Sequence, residues 1–403
     1  MAYDTDRYIN RKNAETLLAG LIEIHSPYFH EDEIMHHVYG WLSDRKLPAQ
    51  YHRYTDNKIT HYSGTNILGS VKGKGDGPVI LLNAHLDTVN ICEGWTRDPL
   101  KAVIEDDRMY GLGALDMKSG AAAILMAINA FKELVPDFRG EILYSLVSDE
   151  EGPYGLGTDA LIMDKLIDHA DAAIVAEPSS AFSGSSFPCL CLGARGGWNY
   201  TVTFTGKASH AANPELGINA ISDASKVLLE LESSISIIDD KLGSGSISVI
   251  EMNGGGAACS VADKAYFTIF RHAVRGEDKS YIERELFEAV KRANIRSSVE
   301  FSFRDAPHSE CAGFEPYIVE HDDPYTDKFI KSIQEVTGSN ANIAYFSSIG
   351  DFNHIGARMK IPTLVFGPQG RNYHMADEYV LISSVVKTAE VLFNYLVRML
   401  YMS

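Results

Sequence analysis

The side chains of this sequence best suited to chemistry are His85, Asp87, Asp116, the run Asp149-Glu150-Glu151, and Glu177. V-I-L-L-N-A leads into His85, M-Y-G-L-G-A-L into Asp116, E-I-L-Y-S-L-V-S into Asp149, and A-A-I-V-A into Glu177, so each group stands at or just past the end of an apolar run. Taken singly, a His-x-Asp pair reads as a satisfied polar contact, and each acid as a helix cap or a solvated loop residue. Taken together they read differently, because the carboxyl ends of parallel strands converge on one edge of a sheet, where open α/β folds bind ligands. Several carboxylates and an imidazole gathered there without a cation would repel and be driven to hold protons. A divalent metal removes that conflict, and imidazole nitrogen with carboxylate oxygen is a donor set that suits one.

The elements that must position these groups alternate along the chain. Residues 11–25 and 31–47 carry apolar positions at helical spacing, and 64–72 reads as an edge strand before the G-K-G-D-G turn. Val79 to Leu82 is an unbroken apolar run bounded by Gly77-Pro78 and Asn83, the pattern of a short strand buried on both faces. A strongly apolar helix is expected from Ser119 to Val135, with Ile124, Ile128 and Phe131 facing inward, then strands at 141–148 and 172–176. After Gly193-Ala194-Arg195-Gly196-Gly197 the texture changes. Trp198 to Thr205, Ser246 to Glu251 and Ala265 to Phe270 alternate as antiparallel strands do, with amphipathic helices near 217–233 and 280–293. The expected fold class is α/β, a mostly parallel central sheet flanked by helices, with an inserted α+β segment.

The chain has 403 residues, enough for two or three domains, and carries 36 Lys plus Arg against 54 Asp plus Glu, a net charge of -18. That charge repels phosphate backbones and anionic lipid, so neither nucleic acid nor a membrane is an expected partner. Five scattered cysteines without a C-x-x-C exclude a disulfide scaffold or a thiolate zinc site and point to a reducing, cytoplasmic compartment. The polar, acidic N-terminus is unlike a signal peptide, and the longest apolar run, Ala121 to Ile128, is too short to span a bilayer.

The segments A-H-L-D-T-V, G-L-G-A-L-D-M-K-S-G, D-E-E-G and A-E-P-S, in this order and at these separations, resemble the dinuclear zinc amidohydrolase and peptidase family. That family includes acetylornithine deacetylase, succinyl-diaminopimelate desuccinylase, aminoacylase and the glutamate carboxypeptidases. The likeness continues through G-K-A-S-H-A-A-N-P-E-L-G-I-N-A-I (206–221) and F-G-P-Q-G-R-N-Y-H-M-A-D-E-Y-V (366–380). It implies two divalent ions per chain, zinc first, with cobalt or manganese able to fill the same sites. Asp116 would bridge them, His85 and Glu177 completing one and Glu151 and His374 the other. Glu150 would be the general base, consistent with the need for one carboxylate to stay free to take a proton. Asp87 would orient His85, since metal-bound imidazoles give their other N–H to such an acceptor.

By the same resemblance, residues 1–194 and 306–403 form a catalytic domain, and 195–305 an inserted lid that joins two copies into a homodimer. His210 would polarise the substrate carbonyl across that dimer, and Arg271 would bind a substrate carboxylate. The chain departs from the family where Cys259 replaces an asparagine that usually touches substrate, where Phe270 precedes the arginine in place of an acid, and where Leu112 replaces an arginine. With no histidine beside it in sequence, Cys259 reads as a structural thiol and not a nucleophile. The implied activity is hydrolysis of the amide bond of a small N-acyl amino acid by a metal-activated water. A dipeptidase or carboxypeptidase of the same fold, or a silent homologue acting as a binding scaffold, are the alternatives.

Overall fold

The computed structural model describes residues 3–234 and 237–401, which form two compact units: residues up to 194 with those from 318 on, and those between, 195–317. The first is built on a mixed sheet. Its path runs from Ala49–Thr55 through Ser63–Lys72, Glu141–Val147, Val79–His85, Ala172–Val175 and Thr363–Val365 to Cys189–Ala194. The middle of this path is parallel, Val79–His85 pairing in parallel with both Glu141–Val147 and Ala172–Val175, and the latter with Thr363–Val365. Every residue of Glu141–Val147 and Ala172–Val175 is buried, as an unbroken apolar run on a sheet covered on both faces requires. Ser63–Lys72 and Ala49–Thr55 pair antiparallel at one edge.

The helix predicted from Ser119 begins at Lys118 and ends at Leu134. It is buried nearly all round, Ala121 to Ile128 without a break, because the Val79–His85 strand lies on one side and the helices Arg11–Ile22 and Ile382–Leu400 cover the other. Full burial of one Ile or Leu side chain contributes about 1.5–3 kcal/mol, so the three-helix contact is a principal anchor of this unit. Gly120 allows the helix to meet the sheet: a Cβ there would lie 2.1 Å from the carbonyl oxygen of Ala176, the residue before Glu177.

Several elements have no clear sequence signal. Ala49–Thr55 and Cys189–Ala194 are strands, and Leu156–Met163 is a short helix. The strands Val103–Glu105, Arg108–Tyr110, Gly370–Arg371 and Tyr379–Leu381 form a small antiparallel sheet. The last helix starts at Ile382, because Tyr379–Leu381 belongs to that sheet.

The second unit is a four-stranded antiparallel sheet in the order Ser246–Gly254, Lys264–Ala273, Gly196–Thr205, Ser298–Phe303. Alternate residues Tyr200, Val202, Phe204, Ala265, Phe267 and Ile269 point to a core closed by Val227 and Leu231 of the Ala220–Glu232 helix and Ile282 and Leu286 of Lys279–Ala293. Both helices start on a side-chain cap, Asn219 accepting from the Ser222 N–H and Asp278 from the Tyr281 N–H. The unit runs past residue 305 to Tyr317, since Gly197 and Phe314 exchange a pair of backbone hydrogen bonds at 2.8 and 2.9 Å.

Candidate metal centre

Six side chains meet within the first unit. His85 ends the Val79–His85 strand, Glu150 and Glu151 follow Glu141–Val147, and Glu177 follows Ala172–Val175, so three neighbouring parallel strands deliver their next residues to the same edge. Asp116 arrives in the turn before the Lys118–Leu134 helix, and His374 in the loop between Gly370–Arg371 and Tyr379–Leu381. The buried Nε2 of His85 lies 3.4 Å from Asp116 Oδ1, 3.4 Å from Glu177 Oε1 and 3.8 Å from Glu150 Oε2. His374 Nε2 lies 2.9 Å from Glu151 Oε1 and 3.3 Å from Asp116 Oδ2. Asp116 thus turns one oxygen to each imidazole.

The charge balance of this cluster needs a cation. Burial, and then the other carboxylates, raises Glu150 well above the ordinary carboxylate range and Glu177 to about 8. Against their own burial, the surrounding carboxylates lift His85 far above its usual value and His374 to about 11. Asp116, despite burial, is pulled below its usual range by His374 and His85. The donor set fits divalent metal: His85 Nε2 is buried with no hydrogen-bond partner, while donor atoms of His85, Glu150 and Glu177, and of His85, Asp116 and Glu151, lie within 4.8 Å of one another.

Surrounding groups hold the ligand loops. His85 Nδ1 lies 3.0 Å from the backbone oxygen of Asp87 and 3.4 Å from its carboxylate, whose other oxygen accepts the Glu151 N–H at 2.8 Å. Asp87 therefore bears on the imidazole mainly through its carbonyl and on the acidic loop through its side chain. Three buried groups went unnoticed in the sequence. Glu378 accepts the N–H groups of Gly113, Leu115 and Asp116 at 2.8, 2.8 and 2.9 Å. Glu31 accepts those of Asp149 and Phe29 and the hydroxyl of Tyr62. Lys118 reaches the carbonyl of Ile24, and burial lowers its pKa to about 7. Two of them had proximity as a signal, Glu378 following His374 in H-M-A-D-E and Lys118 following Asp116 in D-M-K, and Glu31 had none.

His210, Cys259 and Arg271 lie in the second unit. His210 is exposed; its Nδ1 accepts the Ala212 N–H at 3.1 Å, which leaves Nε2 as the protonated nitrogen of the neutral ring. Cys259, exposed and at a left-handed φ of 59°, accepts the Ala211 N–H through its carbonyl. Arg271 is the residue expected to bind a substrate carboxylate. Strand alternation turns it to the helix-covered face, where it is 0% exposed and pairs with Glu277 at 2.7 Å and Glu285 at 3.4 Å. A guanidinium enclosed with two carboxylates has the surroundings of a structural ion pair.

Residues 81–398 match the model of peptidase family M20/M25/M40, a span that contains all six side chains of the centre. The chain is 28% identical over 336 residues to a succinyl-diaminopimelate desuccinylase of Pseudomonas syringae pv. syringae (strain B728a), covering 81% of this chain and 84% of that one. Its fold is similar to that of a tripeptidase from Staphylococcus aureus subsp. aureus Mu50, with a TM-score of 0.78 at 20% identity over 96% of this chain and 98% of that one. A metallo-carboxypeptidase from Sulfolobus solfataricus aligns with a TM-score of 0.75 at 16% identity, over 96% and 98% of the two chains. A mostly parallel sheet that brings two histidines and four carboxylates to one edge, inside a matched span of this length, makes the chain a metal-dependent amide hydrolase belonging to peptidase family M20/M25/M40.

Proposed function

We propose that the protein removes the acyl group from a small N-acyl amino acid, as a deacetylase, desuccinylase or aminoacylase does, with Glu150 as general base. The observation that carries this reading is the difference between two adjacent acids: Glu151 bonds His374 at 2.9 Å, whereas Glu150 approaches no imidazole closer than 3.8 Å. His85, Asp116 and Glu177 would hold one divalent ion, and Glu151, His374 and the second oxygen of Asp116 the other; zinc suits the donors, and cobalt or manganese would fit them. Bound there, the ions supply Lewis-acid polarisation of a carbonyl and lower the pKa of water towards neutrality.

Glu150 then accepts a proton from the attacking water and returns it to the leaving amine. Burial raises its proton affinity, as that double role requires. His210, with Nε2–H free to donate, faces the oxyanion from a partner copy. Cys259, at the place of an asparagine that usually touches substrate in the family, supports the His210 loop through its carbonyl.

The partner would dock on the second unit. Ser246–Gly254 is an edge strand with Ile250 57% exposed, and the Ala220–Glu232 helix carries Leu229 at 68%. Unpaired edges with exposed apolar residues are templates for a second chain. No helix among the described residues is long and apolar enough to cross a membrane, and a cytoplasmic site is proposed from the free cysteines. The acyl–amino acid reading draws on the likeness to desuccinylases, while the likeness to peptidases is one of fold.

The test is a panel of N-acetyl and N-succinyl amino acids and dipeptides, assayed with zinc, manganese or cobalt, with metal content measured in parallel. Up to two ions per chain and loss of turnover on chelation are expected. Full turnover in verified metal-free protein would overturn the reading, and turnover confined to dipeptides would replace the deacylase with a dipeptidase.

A further inference from the structure

Beside the metal centre the first unit carries an aromatic stack that the reaction as described does not use. Tyr373, the residue before His374, lies parallel to Phe182 with ring centroids 4.2 Å apart and planes 28° apart. Phe182 stacks with its other face on Phe346 at 4.4 Å and 25°, and Phe346 meets Phe352 at 4.6 Å. The row is tied to the centre at both ends. Phe182 sits in the Ser179–Ser183 helix that follows Glu177, and a Cβ placed on Gly350 would lie 2.7 Å from the Phe352 ring and 2.8 Å from Glu150 Oε1.

Burial changes along the row. Phe346 and Phe352 are buried, whereas Phe182 and Tyr373 are half-buried. Phe182 is covered by rings on both faces. Tyr373 has Phe182 on one face and, among the described residues, meets only one other ring, His374, at 6.0 Å and 72°. Its second face carries no further ring among the described residues, and it lies one residue from a metal-centre histidine. The loop that presents it is braced: Met375 N–H bonds Asn372 O at 3.0 Å, the Asn372 side chain bonds Asp377 O at 3.2 Å, and Asp377 accepts the Thr96 N–H and hydroxyl. A ring held in this way loses little freedom when a ligand stacks on it.

We propose that Tyr373, backed by Phe182, is a specificity subsite for a planar apolar group, so that the substrate is an N-acyl amino acid bearing an aromatic ring on its side chain or its acyl group. This rests on the metal-centre reading above. The near-parallel spacing of the stack suits a further planar layer, because offset rings attract beyond their buried area. Asp377, the acid nearest in sequence, is engaged by Thr96 and by Arg97 at 3.4 Å, so it adds no free carboxylate beside the ring for a cationic side chain.

The experiment compares kcat/KM of the zinc-loaded full chain for N-acetylphenylalanine, N-benzoylglycine, N-acetylalanine and N-acetylarginine. A preference for one of the aromatic substrates is expected, and the one preferred tells side chain from acyl group. In Tyr373→Leu, and in Tyr373→Ala if it folds, the ratio of aromatic to alanine substrate should fall by about 2- to 10-fold, the size of one ring-on-ring contact. Calorimetry of benzohydroxamate against acetohydroxamate on the same proteins reads the subsite without turnover: tighter binding of the aromatic ligand is expected, with the gap narrowed in Tyr373→Leu. Equal affinity for the two hydroxamates, a preference for N-acetylarginine, or ratios that neither variant moves would overturn the proposal. Retained hydroxamate discrimination in a protein that hydrolyses none of the substrates would support the subsite and count against the hydrolytic reading instead.

Discussion

Glu150 and Glu151 are chain neighbours whose surroundings separate their roles. Glu151 is bonded to His374, and its backbone N–H is held by Asp87, whereas the Glu150 side chain stands apart from both imidazoles. Glu150→Gln should bind metal nearly as wild type and lose about two to four decades of turnover, the range of a general base. Glu151→Gln should lower the metal content, read by elemental analysis; equal metal loss in both variants with turnover kept in Glu150→Gln would reverse the assignment. Asp149, the third acid of the run, is buried. Burial, then Asp87 and Glu31, pushes its pKa from 3.8 to about 9. The unfolded chain loses this proton near pH 4 while the folded chain keeps it, so Asp149 lowers stability progressively as pH rises from about 4 to about 9. Asp149→Asn should therefore be more stable than wild type by an amount on the order of 1 kcal/mol or more at pH 8, with the gap closing towards pH 4. Thermal melts of chelator-treated protein across that range are the check, and a gap that does not depend on pH would refute it.

Two loops from distant parts of the chain become one structure through a single side chain. The turn that carries Asp116 presents three backbone N–H groups to Glu378, which belongs to the hairpin that carries His374. One carboxylate accepts all three bonds; an amide cannot, because its NH₂ would confront a backbone N–H. Glu378→Gln should cost about 1–3 kcal/mol of stability and weaken metal binding, while Glu378→Asp, too short to span the turn, should not restore either. Denaturant titration with metal content measured on the same samples tests this; wild-type metal content in Glu378→Gln would show that the clamp is dispensable. The helix Lys118–Leu134 makes a related point. Its run of alanines and Gly120 permits close approach on every side, which explains why this strongly apolar helix is enclosed and not buried on one face alone.

At the scale of the whole molecule, the proposed homodimer makes the activity depend on two copies. Ile250→Lys on the exposed edge strand should shift the protein towards monomer in sedimentation, since an edge lysine opposes strand pairing. His210→Ala should retain both metals and lose about two to three decades of turnover, the usual effect of removing one oxyanion donor. Mixing inactive His210→Ala with inactive Glu150→Ala subunits should then restore activity in the mixed dimer. No recovery after verified subunit exchange would place His210 outside the partner's reaction.

What the sequence determined by itself is the set of groups whose signal is local. Largely apolar runs leading to His85, towards Glu150 and to Glu177 encode both the parallel strands and the residues at their ends, so the strand order scarcely mattered for recognising a metal centre. Alternation in Trp198–Thr205 and Ala265–Phe270 likewise marked a sheet with one covered face. Only the tertiary structure decided which face. Arg271 is one residue away from the opposite side of its strand, and a period of two leaves the choice to the helices that pack there. The same holds for Glu31, Lys118 and Glu378, whose partners lie far along the chain, and for the stack of Phe182, Phe346, Phe352 and Tyr373, drawn from three separate segments. A buried charge or ring is fixed by what surrounds it, and no spacing within one segment records that.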